Sequence, residues 1–282
     1  MHSRHVTRYN EGRKLIGMDV KKQFFLGIGR EYHFKIISNQ NGMFAGSGNL
    51  LNQAMKLSLK DIRVAPDGME LKEGKPVFEA TGDAVTVSLA EERLLGMIGK
   101  PSGVATSARG LVALADRRIE VVCGAWKKVF PQTKEDLRKA IRVGGAGIRI
   151  TNPPFIYVDK NYVRIIGGVG RSVCRAAAFP GRTVVVQIKG EFKGIGDEAI
   201  EAAQAGAHII MVDTGNVEDI RMVSQALSHK ALRKDVKIGF GGAVTPDALE
   251  RVIEAGEDIV DVGRAIIDAP IIDFRFDVMG GE

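Results

Sequence analysis

Cysteine is nearly absent: Cys123 and Cys174 are the only two among 282 residues. Two thiols cannot build a disulfide framework or a cysteine-ligated metal site, so a reducing cytoplasm is the expected compartment. Aromatic residues are also sparse, at 6%. No apolar run approaches the roughly 18 residues of a membrane helix. Residues 1–10 are polar, carry His2 and His5, and lack the apolar centre of a secretory signal. Lys and Arg outnumber Asp and Glu by only 40 to 34, a net charge of +6. The basic residues are scattered and no recognition motif accompanies them, so small anionic substrates fit better than nucleic acid. There is no Walker-type phosphate loop, no His-Glu-x-x-His and no Gly-x-Ser-x-Gly. The five histidines show no ligand spacing, and His208, at the start of an apolar run, reads as structural.

Glycine, by contrast, is abundant: 34 residues, about 12% against a usual ~7%. Many glycines and few aromatics suit a chain with many tight strand–helix turns. With 45% hydrophobic and 26% charged residues, the composition is that of a globular protein with a full core. The second half alternates short β-branched runs with helical patterns. Strands are predicted at 119–123, 155–158, 183–188, 208–212, 236–240 and 259–262. Helices are predicted at 133–143, 171–178, 197–205, 217–227 and 246–255. Within 246–255, Leu249, Val252, Ile253 and Gly256 share one face, and Thr245-Pro246 reads as an N-cap and N1 pair. Repeated β-α units with near-continuous apolar strands imply a parallel sheet, with about six units rather than the eight of a complete barrel. The first half reads differently. Asp67-Gly68 and Lys72-Glu73-Gly74-Lys75 are turns, 77–80 and 84–87 short β runs, and 50–57 and 88–98 helices.

Chemistry is predicted where these units end. Gly241-Gly242 closes one strand, and Val262-Gly263-Arg264 closes the next. Two consecutive glycine-bearing strand ends can offer backbone N–H groups to one phosphate, with Arg264 adding charge. Their plainer role is to permit tight turns. Asp213 ends the strand Ile209-Ile210-Met211-Val212. A carboxylate there points into a barrel mouth, where it can hold Mg²⁺ through water or bind ribose hydroxyls; the plainer alternative is a cap for the helix at Val217. Lys127, Arg149 and Arg109 are each ordinary surface cations alone. Together they are consistent with a pocket for carboxylates or phosphates.

In order and spacing these segments resemble the quinolinate phosphoribosyltransferase family, from about Asn41 to Asp277. The resemblance rests on Asp67-Gly68 through Val77, on Leu89-Ala90-Glu91-Glu92-Arg93 leading to Ser102-Gly103-Val104-Ala105-Thr106, and on Ile210-Met211-Val212-Asp213. It continues through Gly241-Gly242, Val262-Gly263 and Ala269-Pro270-Ile271-Ile272-Asp273. It implies an α/β fold: an N-terminal α/β sandwich followed by an incomplete, about six-stranded β/α barrel. The expected division is an extension at 1–20, the sandwich at 21–115, the barrel at 116–267, and a segment at 268–282 returning to the first domain. It further implies a homodimer whose pockets are shared between subunits, and transfer of phosphoribose from phosphoribosyl pyrophosphate (PRPP) to a pyridine carboxylate with Mg²⁺. For quinolinate the products are nicotinate mononucleotide, pyrophosphate and CO₂.

Carried over residue by residue, the resemblance makes Lys127 and Asp213 catalytic, with Asp213 linked to the metal. Arg109, Lys127, Arg149 and Lys160 would bind substrate, with Arg109 reaching across the dimer. Gly241, Gly242, Gly263 and Arg264 would bind phosphate. Trp126, Ile148, Asp159 and Phe240 depart from the family pattern. The first and last would add aromatic surface to the pocket, which points to an altered acceptor. Gln187 and Lys189 stand near the position of a family glutamate. Two further readings stay open: a paralogue that binds a phosphorylated ligand without turnover, and a barrel lyase or aldolase using Lys127 or Lys189 as a Schiff-base amine.

Overall fold

The computed structural model describes residues 20–281. They divide into two units, one made of the chain up to Gly103 together with Ile271 onward, the other of Val104–Pro270. In chain order the first unit supplies β1 (Glu31–Ser38), α1 (Ser47–Lys56), β2 (Lys60–Val64), β3 (Pro76–Asp83) and α2 (Ala84–Leu94). Helix α3 (Gly99–Ala115) follows. The second unit holds β4 (Glu120–Val122), α4 (Lys134–Val143), β5 (Phe155–Val158), α5 (Lys160–Ile166), α6 (Val169–Ala177), β6 (Thr183–Ile188) and α7 (Ile195–Gln204). It continues with β7 (Ile209–Val212), α8 (Val217–His229), β8 (Lys237–Gly241), α9 (Leu249–Glu254), β9 (Ile259–Asp261) and α10 (Arg264–Ile267). The last strand, β10 (Phe274–Gly281), belongs to the first unit.

In the first unit the sheet order is β10-β1-β3-β2, all antiparallel. Strand β1 alternates as the pleat demands. Phe34 and Ile36 are fully buried, while Lys35 turns to the other face and meets Glu79, its register partner on β3, at 3.0 Å. Phe34 stacks on Phe276 of β10 with ring centroids 4.4 Å apart. Residues 84–87, predicted as a β run, form the first turn of α2 instead. Asp83 ends β3 and its carboxylate accepts the Thr86 N–H at 2.7 Å. That cap favours helix over continued strand. The division between the two units falls inside α3, at Gly103/Val104.

In the second unit six parallel strands run in the order β4-β9-β8-β7-β6-β5. Beyond β4, Gly147 makes a parallel bridge to Val122. One apolar cluster draws on Val122 of β4, Val185 of β6, Ile209 and Met211 of β7 and Ile259 of β9, with Ile150 between and Phe155 and Tyr157 of β5 packed against it. Side chains from both edge strands meet in the same cluster, so the sheet curls around it into an incomplete barrel. Helix α5 was not predicted; α9 is preceded by a 3₁₀ turn, Pro246–Ala248, and Thr245 makes no side-chain cap there.

Candidate active site

Alternation along the parallel strands decides what faces the barrel axis. On β7, Ile209 and Met211 point inward, and Asp213 follows them by the same period. On β8 the inward positions are Gly239 and Gly241. A Cβ at Gly239 would lie 2.9 Å from the Met211 sulfur and 3.0 Å from Ile150 Cδ1; one at Gly241 would lie 2.7 Å from Met211 Cε and 3.3 Å from Asp213 Oδ1. The two glycines therefore make room for Met211 and for the Asp213 carboxylate. On β9, Asp261 stands opposite Gly241 in register. Two carboxylates thus flank the Gly241 gap at the C-terminal edge of the sheet.

Phe240 lies between the two inward glycines, so it must face outward, and it is buried on that side. The expected aromatic wall from Phe240 is corrected accordingly. Trp126 does sit beyond the C-terminal end of β4, in the 3₁₀ turn Ala125–Lys128. Its indole N–H donates to the Ile148 carbonyl at 2.9 Å, and the Arg138 guanidinium lies 4.7 Å above its ring.

Asp213 is held from two sides. Gln187 Nε2 donates to its Oδ2, while Gln187 Oε1 accepts the Lys160 N–H at 3.0 Å. Lys189 Nζ donates to the Asp213 carbonyl at 2.5 Å and lies 4.0 Å from Oδ2. Asp213 is not the cap of α8: Asn216 takes that role, accepting the Glu218 N–H. Asp261 Oδ1 accepts the Gly124 N–H at 2.9 Å. Burial holds its carboxyl above the usual range, against the opposing pull of that amide and of Lys127. Burial, then the charges of Asp261 and Asp213, push the Tyr157 phenol up as well, so it stays a donor. The Cys123 thiol is pushed up to about 12 by burial, which makes it no nucleophile at neutral pH.

The loops after β8 and β7 are closely apposed. Gly215 N–H donates to the Gly241 carbonyl at 3.2 Å, and a Cβ at Gly242 would lie 2.5 Å from the Gly215 nitrogen. Gly263, two residues beyond the end of β9, lies on the β4 side: a Cβ there would be 3.5 Å from Ala125 Cβ, and its carbonyl accepts the Cys123 thiol at 3.9 Å. Arg264 turns outward: its side chain is 90% exposed and pairs with Asp268 at 3.0 Å. Lys127 is exposed near Asp261, and Arg109 is exposed on α3 with Nη1 near Gly145. Arg149 is placed elsewhere, on a cavity at the strand starts, because residues 147–153 turn through the barrel centre at Ile150 toward that end. Asp159 caps α5, accepting the Asn161 and Tyr162 N–H groups at 2.8 and 3.0 Å. His208 is structural, its Nδ1 accepting the Val184 N–H at 3.0 Å.

Asp261 and Tyr157 were missed in the sequence reading. The signal for Asp261 was a carboxylate two residues ahead of a glycine turn, as Asp213 is two ahead of Gly215.

With this geometry in place, comparison with known proteins decides the family. The model for the quinolinate phosphoribosyl transferase C-terminal domain matches residues 104–277, and that for the N-terminal domain matches residues 19–102. The chain belongs to the quinolinate phosphoribosyl transferase family. Membership places it among pentosyltransferase enzymes. A probable nicotinate-nucleotide pyrophosphorylase (carboxylating) of Methanothermobacter thermautotrophicus is 26% identical over 93% of this chain and 94% of its own length. One from Archaeoglobus fulgidus is also 26% identical, over 86% and 93%. Solved structures of nicotinate-nucleotide pyrophosphorylases share the fold. That from Pyrococcus furiosus has a TM-score of 0.80 at 19% identity, over 95% of this chain and 74% of its own. That from Ehrlichia chaffeensis has 0.79 at 14% identity, over 94% and 92%.

Proposed function

We propose that this member of the quinolinate phosphoribosyl transferase family transfers phosphoribose from PRPP to a pyridine carboxylate, releasing pyrophosphate. The observation that carries the reading is Asp213, fixed at the C-terminal edge of the sheet beside the Gly241 gap, with the glycine turns of two neighbouring strands alongside. Gly241, Gly242 and Gly263 would take the phosphate through backbone groups. Asp213 and Lys127 would act at the reacting sugar, and Lys160 at the acceptor. Arg264, paired with Asp268 and turned to solvent, contributes less than its position in the sequence promised.

Mg²⁺ suits this edge. Among the described residues no cluster of three His, Cys, Asp or Glu forms a closed cage, and Mg²⁺ bound with substrate phosphates needs only one or two carboxylates. Asp213 supplies one, its Oδ2 held by Gln187 and its Oδ1 lying toward Gly241. The ion, when bound, would supply positive charge to the departing pyrophosphate. We also place Arg109 on a partner subunit's pocket in a homodimer; its exposure on α3 is consistent with that role.

The acceptor is read as altered from quinolinate. Asp159 stands where the family carries a lysine, and its carboxylate is occupied in capping α5. A dicarboxylate therefore meets fewer cations at this edge, each worth about 1.5–3 kcal/mol as a charged hydrogen bond. The same observation favours the second reading, a ligand-binding paralogue without turnover. The lyase reading finds less support, since the Lys189 amine is committed as a donor to Asp213. The test is pyrophosphate release from PRPP with a panel of pyridine mono- and dicarboxylates. Release with one of them, lost in Asp213→Asn, is the expected result. Tight PRPP binding without release from any acceptor would favour the paralogue.

A further inference from the structure

The opposite end of the barrel unit is also hollow. A cavity of about 830 Å³ opens at the starts of the strands, bordered by Thr183 of β6, His208 ahead of β7 and Lys237 of β8. That volume is enough for a nucleotide-sized molecule. Its charged rim divides into two classes. Arg233 and Asp258 are a structural staple: the guanidinium donates to Asp258 Oδ2 at 3.0 Å and to the Val236 and Gly256 carbonyls, while Asp258 Oδ2 also accepts the Ile238 N–H at 2.7 Å. Arg142, Arg149, Lys234 and Lys237 border the cavity with no ion pair among the described residues. Against these four cations stand two carboxylates, Glu120 and Asp235.

The excess is positive, which disfavours a metal ion or an amine and favours an anion of two or more charges. The neutral groups suit the same guest. His208 accepts at Nδ1 and so carries its proton on Nε2, a donor, and Thr183 adds a hydroxyl. The backbone amides of Thr183, His208 and Lys237 are spent in the strand ladder, so recognition falls to side chains. Ile148, Ile150, Ile209 and Val236 provide an apolar floor. Charge at the rim above apolar surface matches a phosphorylated molecule with a flat ring.

We propose that this cavity is a second binding site for a nucleoside diphosphate or similar phosphorylated nucleotide, separate from the Asp213 edge and independent of the transferase reading. The test is calorimetric titration of the full chain at low ionic strength with ADP and with inorganic pyrophosphate. The variants are Lys237→Glu and Arg142→Glu, with Lys127→Ala as the control on the other edge. ADP is expected to bind the wild type and Lys127→Ala alike, and at least about tenfold more weakly to each charge-reversed variant. Added salt should weaken it further. Should a charge reversal unfold the chain, Lys234→Gln with Lys237→Gln reads the same loss. The proposal is overturned if ADP does not bind, if the charge-reversed variants bind it unchanged, or if Lys127→Ala alone removes it. Binding of pyrophosphate without ADP would overturn the nucleotide assignment.

Discussion

Gly241 shows how one missing side chain shapes the reactive edge. A methyl group there would meet Met211 Cε at 2.7 Å and approach Asp213 Oδ1 at 3.3 Å. Gly241→Ala should therefore lower pyrophosphate release while leaving the chain folded, because Met211 is flexible and the carboxylate is not free to retreat from Gln187 and Lys189. Gly242→Ala is harsher. The backbone there has φ +112 and a Cβ would strike the Gly215 backbone, so a loss of more than about 2 kcal/mol is expected in urea unfolding. Glu257 poses a different residue-scale question. It is 5% exposed, neither carboxylate oxygen has a hydrogen-bond partner among the described residues, and burial pushes its pKa up to about 7. The folded state thus holds the proton more tightly than the unfolded chain does. Stability is full below the ordinary value of 4.5 and falls as pH rises through about 7. Glu257→Gln should raise the melting temperature at pH 8, by up to roughly 3 kcal/mol of stability. The gain should vanish near pH 4; an equal gain at both pH values would contradict this account.

At the scale of elements, short polar side chains set where helices and loops begin. Asp83 stops β3 and starts α2, and Asp159 starts α5 where a family lysine would leave the first turn uncapped. Asp159→Ala should cost about 1 kcal/mol in chemical denaturation, as lost caps do. The β6–α7 loop is organised by one buried carboxylate. Glu198 accepts the N–H groups of Lys189, Gly190 and Phe192 at 3.2, 2.8 and 2.9 Å. Lys189 in turn reaches Asp213. Glu198→Ala should destabilise by about 2 kcal/mol and also raise KM for PRPP, since the Lys189 contact loosens with the loop. A stability loss with unchanged kinetics would separate the loop from the site.

At the scale of the whole molecule, the shared-pocket reading makes a complementation prediction. Arg109→Ala and Asp213→Asn should each be nearly inactive alone. Mixed after subunit exchange, they should recover about a quarter of wild-type activity, because a random half of the chains are heterodimers and each heterodimer retains one intact pocket. No recovery would place Arg109 in its own chain's chemistry or outside it altogether.

The periodicities of the sequence determined the six strands of the second half and its helices other than α5 and α10, because apolar runs of four to six residues between glycine turns are short enough to be read locally. They also located the Asp213, Gly241 and Gly263 strand ends. Local reading failed where a partner far along the chain decides the state. Residues 31–38 and 274–281 become strands by pairing with each other across more than 200 positions, aligned in register from Ser38↔Phe274 through Phe34↔Val278. Tertiary structure alone decided which way the side chains face. The two-residue pleat turns Phe240 out and Asp261 in, and the path of Ile150 through the barrel centre carries Arg149 to the far end. A linear pattern lists those residues without stating on which side of a curled sheet each will stand.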